Sequence, residues 1–176
     1  MTTDAELQSL ADAAQRDYES GSYASAAQSF ESAARGYASL GDALRAAELR
    51  NNSSVALLRA GRAQEALQAV RGTDAVFGAA HDLKRQGMAF GNQAAALEGL
   101  RKFDEALALY ERSAGSFSEA GEGDLRSMVL RSAAAIKLKR GNLGESALRM
   151  IGSLDAKDRP SALERFLRFL LGFMKR

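Results

Sequence analysis

The side chains best suited to proton transfer in this chain are few and scattered. His81 is the only histidine, and it stands beside Asp82 at a junction between helical segments, a setting for a surface or capping role rather than for general-base chemistry. Asp17 with Glu19, and Asp104 with Glu105, have the spacing of solvated helix faces; no carboxylate set converges with a nucleophile or a metal-ligand spacing. Cysteine is absent, which removes thiolate catalysis, disulfides and cysteine-ligated zinc. The glycines are dispersed rather than gathered into a phosphate loop after a strand. The expectation is a protein that is not an enzyme, with no cofactor and no metal. Hydrogen bonding is the chemistry left for recognition: Asn52 and Asn92 stand forty residues apart, and each amide offers both donor and acceptor.

Forty residues is also the period of the chain. Gly21, Gly61 and Gly141 share one phase, followed two residues on by Tyr23, Ala63, Phe103 and Leu143. Ala26, Ala66, Ala106 and Ser146 come next, and four residues later Phe30, Val70, Tyr110 and Met150. A small and a large apolar residue one helical turn apart, recurring at fixed spacing, predict stacked helix pairs. Leu7, Leu10, Ala14 and Tyr18 form one such stripe, broken by Ser20-Gly21-Ser22. The next stripe ends at Leu40-Gly41, where glycine suits a left-handed close and Asp42 can cap the helix that follows. Further helices are predicted over 42–60, 62–80, 82–100, 103–120, 122–140 and 143–154. With 46% hydrophobic residues, a single proline at Pro160 and alanine-rich runs, the 176 residues read as one all-α domain, in repeats of about 5–41, 42–81, 82–121 and 122–155.

Gly21-Ser-Tyr-Ala-Ser-Ala-Ala-Gln-Ser-Phe30 and Lys102-Phe-Asp-Glu-Ala-Leu-Ala-Leu-Tyr110 carry the order glycine or loop, aromatic, alanine, aromatic. In this the chain resembles the tetratricopeptide repeat, in a lengthened form similar to the repeats of kinesin light chains and soluble NSF attachment proteins. The first half of the signature departs from the family: Leu10, Ala13, Ala14 and Asp17 stand where a tryptophan, a leucine-glycine pair and a tyrosine are favoured. Only the small residue is kept, as Ala14, Ser54, Ala94 and Ala134. The resemblance implies a right-handed superhelical solenoid of four antiparallel helix pairs plus a C-terminal capping helix, and a protein or peptide ligand in the concave groove lined by the first helix of each pair. Carried onto this sequence by helical phase, that groove holds Gln8, Ala11, Asp12 and Gln15; then Glu48, Asn51, Asn52 and Val55; then Met88, Gly91, Asn92 and Ala95; then Met128, Arg131, Ser132 and Ala135. In the family, asparagine at the phase of Asn52 and Asn92 hydrogen-bonds the backbone of a bound peptide; tying neighbouring helices together is the other role open to these amides. Gly87 and Gly91 imply close approach, of a helix before a ligand.

Charge is uneven. Residues 1–88 carry nine basic and eleven acidic side chains, and residues 89–176 carry fifteen and eleven. Arg126, Arg131, Lys137, Lys139 and Arg140 occur with no acid among them, so an acidic or carboxyl-terminal ligand segment is expected toward the fourth repeat, with Arg131 and Lys139 aimed at the groove; a solvated basic face is the alternative. The formal net charge of +2 and the lack of interleaved aromatics argue against nucleic acid. Beyond Pro160, residues 161–176 form a capping helix whose Phe166, Phe169 and Phe173 exceed what one packed face requires. They are either wedged against the solenoid end or available for a homodimer, a membrane surface or a following domain. The acidic N-terminus is no signal peptide and no window reaches membrane-spanning length, so the expected location is the cytoplasm.

Overall fold

The computed structural model describes residues 3–140. The regular elements among them are all α-helices: α1 (Asp4–Glu19), α2 (Tyr23–Ser39), α3 (Ala43–Arg59), α4 (Ala63–Val70), α5 (Thr73–Ala79), α6 (Leu83–Gly99), α7 (Phe103–Glu119) and α8 (Gly123–Arg140). The predicted helices over 143–154 and 161–176, with Phe166, Phe169 and Phe173, lie outside the described residues. The chain divides into two compact units, residues 1–134 and 135–176, so that α1 to α7 and most of α8 fall in the first.

Caps decide where the helices begin. Thr3 and Glu6 form a reciprocal capping box, Glu6 N–H donating to Thr3 Oγ1 at 3.3 Å and Thr3 N–H to Glu6 Oε2 at 2.8 Å. Asp42 accepts from Arg45 N–H and Asp82 from Arg85 N–H, both at 2.9 Å, as the aspartate after Gly41 predicts for α3. The ends recur every twenty residues. Gly21, Gly41, Gly61, His81, Arg101 and Gly121 all take positive φ, and the amide after each bonds a carbonyl five residues back, as in Ser22 N–H to Asp17 O at 2.8 Å and Asp82 N–H to Phe77 O at 2.9 Å. This six-to-one closure is the Schellman motif. The residue that donates it is also the N-cap of the next helix, so one turn ends a helix and starts another.

One predicted helix is two. The segment expected over 62–80 stops at Val70, passes through Arg71 in extended conformation and Gly72 at φ 80°, and resumes as α5. Gly72 supplies the left-handed turn at no steric cost, and Thr73 Oγ1 donates to Val70 O at 2.8 Å across it.

The core follows the period. Phe30, Tyr37, Val70, Phe77, Tyr110 and Phe117 are buried, and Ala14, Ser54 and Ala94, the small residues of one phase, are fully enclosed. Ala134 of the same phase is exposed among the described residues. α2 packs on α1 and α3, and α6 on α3, α4, α5 and α7. At Gly87 an added Cβ would stand 2.8 Å from the Phe117 ring, and Ser113 Oγ donates to the Gly87 carbonyl at 2.7 Å. The glycine there admits a helix, α7, as the sequence favours.

Candidate functional site

α1, α3 and α6 are the helices expected to line a groove, and the amphipathic phase of each sets which residues reach it. Gln8, Ala11, Asp12 and Gln15 of α1 converge with Arg45, Glu48, Leu49 and Asn52 of α3 on an open cleft of about 340 Å3, with Phe30 and Tyr37 of α2 beneath. Six of the expected groove positions, Gln8, Ala11, Asp12, Gln15, Glu48 and Asn52, therefore come together here.

Asn51 does not join them and is corrected from the groove to the core. It is 4% exposed, and its side chain meets Thr73 Oγ1 at 3.1 Å on the far side of α3. A step of one residue turns a helix by about 100°, which sends Asn51 inward when Asn52 faces the cleft. The single Thr73 hydroxyl proton cannot serve both Val70 O and Asn51 Oδ1 fully. Turning the Asn51 amide so that Nδ2–H donates to Thr73 Oγ1 leaves the hydroxyl proton for Val70 O.

The remaining expected residues are spread along the later helices. Val55 and Asn92 are half-buried, and Asn92 does not line the cleft that holds Asn52. Met88 and Met128 are 41% and 51% exposed, the adaptable apolar surface a peptide groove would use. Arg131 is exposed on α8, while the side chain of Lys139 lies outside the described residues.

Ion pairs tie the groove helices to one another. Asp4 of α1 meets Arg45 of α3 at 2.9 Å, Glu48 of α3 meets Arg85 of α6 at 3.2 Å, and Lys84 of α6 meets Glu122 at the start of α8 at 2.7 Å. Arg45 lies over the Tyr37 ring and donates from Nη1 to the Tyr37 hydroxyl oxygen at 3.0 Å, and Arg85 lies over the Phe77 ring. The Tyr37 hydroxyl, then the Asp4 carboxylate, raise the Arg45 pKa above its already high value. The Asp82 carboxyl is held below its ordinary range, chiefly by the backbone N–H of Arg85 and further by that residue's side chain. At the α6–α7 contact, burial and then Glu98 push the Tyr110 phenol up, with the hydroxyl donating to Glu98 Oε2 at 3.1 Å.

Arg45 and Arg85 escape the sequence reading, although the signal is there: they are one period apart, as are the aromatics Tyr37, Phe77 and Phe117. Among the described residues no group of three or more His, Asp or Glu side chains is gathered as for a metal ion, and no helix is long and apolar enough to cross a membrane. No family model, no curated protein and no solved structure matches the chain.

Proposed function

We propose that the chain is a non-catalytic scaffold of the tetratricopeptide type, a right-handed solenoid of paired helices that holds a peptide or helix of a partner protein along α1, α3 and α6. The observation that carries this reading is the convergence of Gln8, Asp12, Gln15, Glu48 and Asn52 on one open cleft between two helices forty residues apart in register. Amides supply donors and acceptors that suit any peptide backbone, and exposed Met88 and Met128 extend the surface with side chains able to repack around different partners. The paired arginines set charge along the path rather than offering it freely to a ligand.

Selection of displayed peptides on the intact chain tests the reading. Peptides so obtained are expected to bind the Asn52→Ala, Asn92→Ala double variant roughly tenfold more weakly, the loss of one or two net hydrogen bonds. Arg59→Ala, on the Tyr23 side of α3, should leave them unaffected. Selected peptides that bind both variants as tightly as the parent, or selection that yields none, would remove the groove from consideration.

A further inference from the structure

α3 carries a second stripe. Arg50, Ser53 and Leu57 line a cleft of about 790 Å3, walled by α2 and α4. Glu48 and Arg50 are two residues apart, about 200° around the helix, so this cleft and the groove occupy opposite sides of α3. Their electrostatics also differ. In the groove, Arg45 and Arg85 are each engaged by carboxylates. In the larger cleft Arg62 is engaged, its Nε donating to Glu65 Oε1 at 2.7 Å, and that bond leads in holding the Glu65 carboxyl below its ordinary range. Among the described residues Arg35, Arg50 and Arg71 have no ion pair, and their one side-chain hydrogen bond runs from Arg35 Nη2 to Ser32 Oγ at 3.5 Å. Four guanidiniums and the two carboxylates of Glu31 and Glu65 leave the lining at a net +2.

Arg71 owes its place to the broken helix. One period earlier and later stand Glu31 and Glu111, both inside unbroken helices. Here an arginine replaces the acid, and the extended backbone between Val70 and Gly72, anchored beneath by Thr73 and Asn51, sets it on the rim. Arg50 and Arg71 also border a neighbouring depression of about 300 Å3 whose lining contains no acid. A concave surface of one sign concentrates its field.

We propose that Arg35, Arg50 and Arg71 form a binding site for a phosphate monoester dianion over the α4–α5 break. A phosphate ester carries a charge of about −1.5 to −2 at neutral pH, which matches the lining, whereas a single carboxylate leaves a cation uncompensated. Guanidinium forks suit its oxygens, and the cleft exceeds a bare ion, leaving Leu57 and Ala69 to contact the organic group that bears the phosphate. A phosphorylated side chain and a small organic phosphate present the same chemistry.

Titration of the full chain, followed calorimetrically, with phenyl phosphate, benzoate and a phosphoserine peptide alongside its unphosphorylated form tests the site. Saturable binding is expected for both phosphate probes, roughly tenfold or more tighter than for benzoate or the unmodified peptide, and the tighter of the two names the carrier. Arg50→Ala with Arg71→Ala should weaken it roughly tenfold or more, and Arg71→Ala alone, an exposed position, supplies the same reading with a smaller loss if the double variant fails to fold by circular dichroism. Arg16→Ala, an exposed position on α1 outside both clefts, should change nothing. No saturation with either phosphate probe, benzoate binding as tightly, or equal losses in Arg71→Ala and Arg16→Ala would overturn the proposal. Because the groove residues are untouched, loss of peptide binding there leaves this result standing.

Discussion

The second forty-residue stretch of the chain and its two neighbours begin and end their helices at matching positions, yet only the second breaks one of them. α2 runs Tyr23–Ser39 and α7 runs Phe103–Glu119 without interruption, while the equivalent span is divided into α4 and α5. The contrast traces to one layer of packing. Ala11 in the first stretch shares its phase with Asn51 and Gly91, and Ala33 with Thr73 and Ser113. Ala11 and Ala33 are both buried, and a Cβ on Gly91 would stand 3.3 Å from Ser113 Oγ, so small partners let the helices approach in the outer stretches. In the middle one, Asn51 and Thr73 place a polar and bulkier pair there, and Gly72 provides a turn that Ser32 and Arg112 at the same phase would resist. A repeat thus tolerates a break where one layer exchanges close approach for a hydrogen bond.

The largest effect should come from removing that layer. Asn51→Ala leaves a cavity and strips Thr73 of a buried partner, and we expect a loss of about 2 kcal/mol in urea unfolding. Grafting the first stretch's residues instead, as Asn51→Ala, Gly72→Ser and Thr73→Ala together, should recover part of that loss and raise helical ellipticity at 222 nm as α4 and α5 join. A triple variant no more helical than the parent would mean that the break is set elsewhere.

The elements that the period specifies most strongly were the most legible. Helix starts at Asp42, closures at Gly21 and Gly41, and the buried phase of Ala14, Ser54 and Ala94 all follow from local chemistry repeated at fixed spacing. The break at Gly72 was not, because an isolated glycine in a helical stripe has two readings and only its partner across the layer decides between them. Asn51 misled for a related reason. Its phase is held by alanine and glycine in the neighbouring stretches, a sign of a close-packed position, but the adjacent Asn52 draws both amides toward the groove in a reading by residue type. The unpaired arginines of the larger cleft were invisible because burial, pairing and the path of α4 come from three different helices.

Asp82 joins the second stretch to the third, and its loss should be the next largest. Asp82→Ala removes the N-cap of α6 and the partner of Arg85, at a cost of about 1 kcal/mol at neutral pH. Since its carboxyl titrates below the ordinary 3.8, the stabilisation is fully present above that value and is lost as pH falls through the lower folded one. Urea midpoints of parent and variant should therefore converge below about pH 4, and a gap that stays constant to pH 2 would assign the effect to something other than this charge. Ser54→Ala tests the same stretch with opposite sign. Ser54 Oγ is the buried side-chain polar atom without a hydrogen-bond partner among the described residues, at a phase where Ala14 and Ala94 are equally enclosed. Removing an unsatisfied hydroxyl should stabilise by about 1 kcal/mol, seen as a higher melting temperature; a lower one would show that the hydroxyl is satisfied after all.

The smallest effect concerns how the stretches close. Gly41 and Gly121 end the first and third in left-handed backbone, whereas His81 ends the second at φ 55°. The side chain is exposed and the turn is already fixed by Asp82 N–H bonding Phe77 O. A non-glycine residue in this region is disfavoured by about 1 kcal/mol, and glycine relieves that cost while adding freedom to the unfolded chain. His81→Gly is therefore expected to gain about 0.5 kcal/mol, leaving groove binding of selected peptides unchanged. Destabilisation on making this closure like its neighbours would show that the imidazole supports the junction through a contact that glycine cannot replace, and the second stretch would then differ from the others at its end as well as in its middle.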